Sequence, residues 1–117
     1  MGKFKDDNTF EKRKKSAEQI RAKYRDKIPV IVEKDPKNSS MAEMKQNKFL
    51  VPDSITIAQF LSTVRKHCSI DQSEALFLFI NGNILAPNSA IMSQIYQEHR
   101  DEDGFLYFVV GKEATFG

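Results

Sequence analysis

The amino-acid sequence predicts an α+β protein, a mixed sheet crossed by one helix and preceded by a helical extension. Three observations lead there. Short runs of β-formers recur around residues 28–34, 48–52, 75–80 and 105–110, separated by polar or turn-forming segments. Thr56 followed by Gln59 forms a capping box, and behind it Ile57, Phe60, Leu61 and Val64 fall on one helical face. The strand runs are also apolar in both directions. In Phe49-Leu50-Val51, Phe49 and Val51 point one way and Leu50 the other. A strand with one wet face avoids that pattern, so either both faces are covered or one is left open for a partner.

Length and composition narrow the class. At 117 residues the chain has room for one domain and should bury about two-thirds of its unfolded surface. Its hydrophobic fraction of 40% and charged fraction of 29% are those of an ordinary globular protein. The apolar runs are far too short to span a bilayer, and no secretory segment opens the sequence. Met1-Gly2 resembles a myristoylation start, but Asp6 stands where that motif needs Ser or Thr. A single cysteine allows no internal disulfide and no Cys-based metal framework, which fits a reducing, cytosolic or nuclear compartment.

Charge divides the chain. Residues 1–27 carry ten Lys/Arg against five Asp/Glu, a net of +5. Residues 28–117 carry eight against eleven, net −3, which together give the +2 of the whole. A basic segment on a mildly acidic body suits acidic partners: nucleic acid, anionic lipid or acidic peptide.

In chain order, residues 1–9 are polar and uninformative. Phe10–Tyr24 lacks Gly and Pro and reads as a helix capped by Thr9 or Asn8. Its apolar stripe, Phe10, Ala17, Ile20 and Tyr24, is thin, and the rest is basic: Lys12, Arg13, Lys14, Lys15, Arg21, Lys23 and Arg25. That surface is either a solvated face or a binding surface. Ile28–Lys34 is the first strand, with Pro29 near its start, where proline is tolerated. Asp35–Asn47 connects it to the Lys48–Pro52 strand in a long-looped hairpin. The capped helix ends near His67-Cys68. Ala75–Ile80 is a central strand, and Asn81-Gly82 supplies a type I′ turn into Ile84-Leu85. Ala90–His99 is a short helix, Asp101–Gly104 a polar turn, and Phe105–Val110 the last and longest strand. The tail, 113–117, has no apolar pattern with which to pack itself. Two strands, a capped helix and further strands about a tight turn match the β-grasp of ubiquitin-like folds. An N-terminal helix on the second sheet face would explain strands apolar on both sides. The chain thus divides into an extension (1–27), a β-grasp core (28–112) and a tail (113–117).

Phe10-Glu11-Lys12-Arg13, Ile28-Pro29-Val30-Ile31, Phe49-Leu50-Val51-Pro52, Tyr96-Gln97-Glu98-His99 and Thr115-Phe116-Gly117 together resemble the autophagy ubiquitin-like modifiers. That family includes the GABA-receptor-associated protein and the microtubule-associated light-chain homologues. The resemblance covers essentially the whole chain, in order. It implies a C-terminal glycine exposed by a cysteine protease, activated and passed on by ubiquitin-like activating and conjugating enzymes, and joined to phosphatidylethanolamine. Gly117 is the matching residue, with Phe116 before it as a recognition handle. The implied location is cytoplasmic, and the membrane of the autophagosome or a related vesicle once conjugated.

The resemblance also implies docking of aromatic-x-x-aliphatic motifs carried by receptors. The aromatic pocket maps to Ile20, Pro29, Ile31, Lys48, Leu50 and Phe105, and the aliphatic pocket to Phe49, Val51, Pro52, Ile55, Phe60 and Val64. Lys27, Lys48 and Arg65 suit acidic flanking residues. Independently, a strand with two apolar faces and a free edge can accept a peptide strand. Ser16 stands where many relatives carry an acid, Phe49 where tyrosine is frequent, and Thr63 where a larger apolar residue is common. The loop around Gly82 is also a residue longer than in several relatives.

Other classes find less support. His67 and Cys68 point about 100° apart on a helix, and Cys68 continues the apolar stripe from Val64, so a structural thiol is expected rather than a nucleophile. No metal-ligand spacing occurs, and neither an enzyme nor a cofactor is expected. No nucleic-acid-binding motif accompanies the basic helix, so no nucleic-acid partner is expected. An unconjugated ubiquitin-like adaptor that binds peptides without lipid attachment is the main alternative.

Overall fold

A computed structural model describes residues 2–36, 44, 46–68 and 70–113. Two helices open it, α1 (Lys3–Asp7) and α2 (Phe10–Lys23), the second capped by the Thr9 hydroxyl accepting from the Lys12 N–H. Then come β1 (Lys27–Lys34), β2 (Lys48–Pro52), α3 (Ile57–Arg65), β3 (Phe77–Ile80), β4 (Ile84–Leu85), α4 (Met92–His99) and β5 (Leu106–Gly111). The five strands form one sheet in the order β2-β1-β5-β3-β4. β1 and β5 run parallel at its centre, and the other neighbours pair antiparallel. This is the β-grasp arrangement expected from the element order.

Each sheet face is covered. On one side Ile28, Val30, Phe49, Val51, Leu78, Leu106 and Phe108 pack with Ile57, Phe60 and Val64 of α3. On the other, Ile31, Phe105 and Tyr107 are buried with Ala17 of α2, and Phe4 and Ile20 lie against them. The double apolar character of the strands therefore has a physical cause, a helix over each face. The capping box at Thr56 forms as expected, with the Gln59 N–H donating to the Thr56 hydroxyl and the Thr56 N–H to the Gln59 side chain.

Asn81 and Gly82 take φ of 52° and 78°, the left-handed pair a type I′ turn requires, and the Asn83 N–H closes it on the Ile80 carbonyl at 3.1 Å. The pairing of Ile80 with Ile84 leaves Asn83 as an extra loop residue. Several boundaries differ from the sequence reading. α3 ends at Arg65, before His67-Cys68, and the central strand begins at Phe77 rather than Ala75. β5 has six residues against eight in β1, so the last strand is not the longest. The polar start holds a helix, because Phe4 gives it an anchor against the Phe105 ring, 5.2 Å away between centroids.

Candidate functional site

β2 is an edge strand, paired among the described residues with β1 alone. Its ladder pairs Ile31 with Lys48, Pro29 with Leu50 and Lys27 with Pro52. The Val32 N–H donates to the Asn47 carbonyl at 2.8 Å and the Asp53 N–H to the Asp26 carbonyl at 2.9 Å. Antiparallel pairs alternate between hydrogen-bonded and non-hydrogen-bonded, so Phe49 and Val51 turn their backbone groups towards β1. Lys48 and Leu50 turn theirs outward. Pro29 suits this register, since the position opposite Leu50 asks β1 for no N–H towards β2. The outward Lys48 carbonyl accepts from the Gln46 side-chain amide at 2.7 Å.

The residues assigned to the aromatic pocket lie together between β1–β2 and α2. Ile31 and Phe105 form a fully buried floor beside Pro29, while Ile20 is half-buried. Leu50 stands at the rim with 42% of its surface exposed. The Lys48 ammonium lies 5.6 Å from the Phe105 ring centroid and donates to the Ser16 hydroxyl at 3.0 Å. The result is an apolar patch with one cation at its mouth, next to the outward backbone groups of Lys48 and Leu50.

The six residues assigned to the aliphatic pocket divide. Phe49, Val51, Phe60 and Val64 are buried in the core between sheet and α3, while Pro52 and Ile55 are half-buried. The Phe49 ring meets Phe60 edge-on at 5.6 Å and His67 at 5.4 Å. The four therefore back the surface that Pro52 and Ile55 offer. Of the flanking cations, Lys27 and Lys48 mark opposite ends of the β1–β2 ladder, about 13 Å apart at strand spacing. Arg65 donates to the Glu74 carbonyl at 2.9 Å and is half-buried. Gly117 and Phe116 lie outside the described residues.

Sequence reasoning missed the cluster that ties α2 to the body. Arg13 donates to Asp103 Oδ2 at 2.7 Å, and the same carboxylate accepts from the Tyr107 hydroxyl at 2.5 Å and the Phe105 N–H at 2.8 Å. Asp103, in a segment whose sequence reads only as a polar turn, is 1% exposed. The mixed signs, Arg13 in a basic helix and Asp103 in an acidic turn, were the available signal. Burial and the hydrogen bond to Asp103 push the Tyr107 hydroxyl well above the ordinary tyrosine range. Nearby, Lys5 pairs with Asp101 at 2.7 Å. Burial raises the Asp101 carboxyl, but the Lys5 ammonium and the Asp103 N–H outweigh it and leave the group lowered. Cys68 is half-buried against the core, and burial raises its thiol despite Arg65 nearby, which disfavours a thiolate nucleophile. Among the described residues, no group of three or more His, Cys, Asp or Glu side chains could hold a metal ion, and no helix is long and apolar enough to cross a membrane.

Comparison with known proteins gives a consistent set of relatives. Residues 12–117 match a family model described as autophagy protein Atg8, ubiquitin-like. The chain is 50% identical over 115 residues to autophagy-related protein 8 of Emericella nidulans, covering 98% of this chain and 96% of that one. It is equally identical over the same length to the protein of that name from Gibberella zeae. The crystal structure of Trypanosoma brucei ATG8 superimposes with a TM-score of 0.90 at 42% identity, covering 100% of this chain and 99% of the other.

Proposed function

Because the chain belongs to the Atg8 family of ubiquitin-like autophagy proteins, we propose that it is a modifier joined through Gly117 to phosphatidylethanolamine on autophagic membranes. Once there, it recruits receptors whose aromatic-x-x-aliphatic motifs pair with the β2 edge. The observation that carries the recruiting half is that edge itself: outward backbone groups at Lys48 and Leu50 beside an apolar floor. An incoming strand replaces the Gln46 amide on the Lys48 carbonyl, and alternate side chains drop to either side of Leu50. The aromatic residue fills the Ile20, Pro29, Ile31, Lys48, Leu50 and Phe105 side. The aliphatic one rests on Pro52 and Ile55, backed by Phe49, Val51, Phe60 and Val64. Lys27, Lys48 and Arg65 attract acidic flanks.

Conjugation is chemistry done by others. A cysteine protease exposes Gly117, an activating enzyme adenylates and captures it as a thioester, and a conjugating enzyme delivers it to the lipid amine. The protein supplies a carboxylate and no catalytic side chain. Glycine enters narrow clefts most easily, having no Cβ, and Phe116 offers the enzymes a bulky handle. A diacyl lipid brings two chains, enough for stable membrane anchoring. Two measurements test the reading. Deleting Gly117 should leave peptide binding intact and abolish thioester formation and lipid attachment in a reconstituted reaction; lipid attachment to the deleted protein overturns it. Intact mass from cells separates this reading from the unconjugated adaptor.

A further inference from the structure

Lys48 is the cation at the mouth of the groove, and the two groups that hold it are uncharged. Its ammonium donates to the Ser16 hydroxyl at 3.0 Å and lies over the Phe105 ring at 5.6 Å. No ion pair is recorded for it among the described residues. Ser16 is half-buried on α2, and the bond to Lys48 joins that helix to the edge strand across the groove. A hydroxyl can orient an ammonium without cancelling its charge. A carboxylate at the same place would do both.

We propose that Ser16 is a specificity-determining residue of the groove: it positions the Lys48 ammonium while leaving its positive charge for the ligand, so acidic flanks are favoured. This rests on the β2 edge being the peptide site. The rest of α2 near Ser16 adds to the effect, since Arg13, Lys14 and Lys15 precede it and no acid lies between Glu11 and Glu18. Arg13 is already committed to Asp103. Lys48 is therefore the cation that the geometry assigns to the groove mouth. An acid at position 16 would pair with it internally, and a peptide carboxylate would then have to compete for a neutralised partner. Exposed ion pairs are modest, so the preference should be a factor of about two to five at physiological salt.

The experiment uses the full chain and two labelled peptides that share one aromatic-x-x-aliphatic core, one preceded by three Glu and the other by three Gln. The wild type should bind the Glu peptide about two- to fivefold more tightly. Ser16→Asp should bring that ratio close to one by weakening the Glu peptide, and Lys48→Gln should do the same. The double variant should add nothing further, because both changes act on one charge. Ser16→Asn, similar in size to Asp but uncharged, should follow the wild-type ratio. Ala22→Asp adds the same charge about 120° around α2 and should not move it. Raising salt should erode the ratio in the wild type and not in Ser16→Asp. An unchanged ratio in Ser16→Asp, or an equal loss for both peptides, overturns the inference while leaving the groove in place. Failure of the wild type to bind either peptide overturns the groove reading and this inference with it.

Discussion

Truncating Phe49 to alanine removes a ring packed between Phe60 and His67, whereas truncating its neighbour Leu50 removes an aliphatic side chain that half faces water. Phe49→Ala should therefore destabilise the fold by about 3–5 kcal/mol in denaturant unfolding. Leu50→Ala should change stability by less than about 1 kcal/mol yet weaken binding of an aromatic-x-x-aliphatic peptide by about 1–3 kcal/mol. Retained affinity in a folded Leu50→Ala protein would move the site elsewhere. The alternation of the two residues was legible in the sequence. Which direction led to the core was not, because that depends on the face α3 covers. Asp101 gives a second test at this scale. Its carboxyl sits below the ordinary range despite burial, held there by Lys5 and the Asp103 N–H. A carboxyl lowered on folding stabilises above its unfolded value near 4 and loses that contribution as pH falls through its lowered value. The Lys5 side-chain resonances should therefore shift on acidification below about pH 4. An Asp101→Asn protein should lack that shift of the Lys5 resonances.

The N-terminal helices show why some elements could be read and others not. α2 announced itself by composition and by its Thr9 cap. α1, five residues long, has almost no propensity signal, and its position comes from tertiary contacts. Phe4 packs on Phe105 and Tyr107, and the Phe4 N–H donates to the Glu33 carboxylate at 2.8 Å. The larger fastening is Arg13 on Asp103, with the carboxylate fully buried. Asp103→Ala leaves a largely buried guanidinium and the Tyr107 hydroxyl without their shared partner, and should cost about 3 kcal/mol. Thermal or denaturant unfolding checks it. By contrast, Thr56→Ala at the start of α3 removes the capping box and should cost about 1 kcal/mol. Gly104 completes the fastening: its φ of 93° and a would-be Cβ 3.0 Å from Ala17 leave little room for a side chain.

For the molecule as a whole, the element order and the capped helix were enough to identify a β-grasp, since each local signal agreed with the global one. Strand order was less accessible, because the parallel pairing of β1 with β5 joins segments some 75 residues apart and leaves no local trace. The polar bonds that hold the extension were hidden for a similar reason: each joins residues distant in sequence. Protection from hydrogen exchange should follow this division. Amides of β3 and β5 should exchange slowest, those of α1 and α2 faster, and equal protection throughout would contradict a separately fastened extension. The central place of β5 also bears on how the chain is made. In the sheet, β1–β2 and β3–β4 are joined through that last strand, so a nascent chain has two hairpins with no shared sheet until Leu106–Gly111 leaves the ribosome. Completion of the sheet then waits for that strand, and a product stalled before residue 106 remains open to proteases and chaperones.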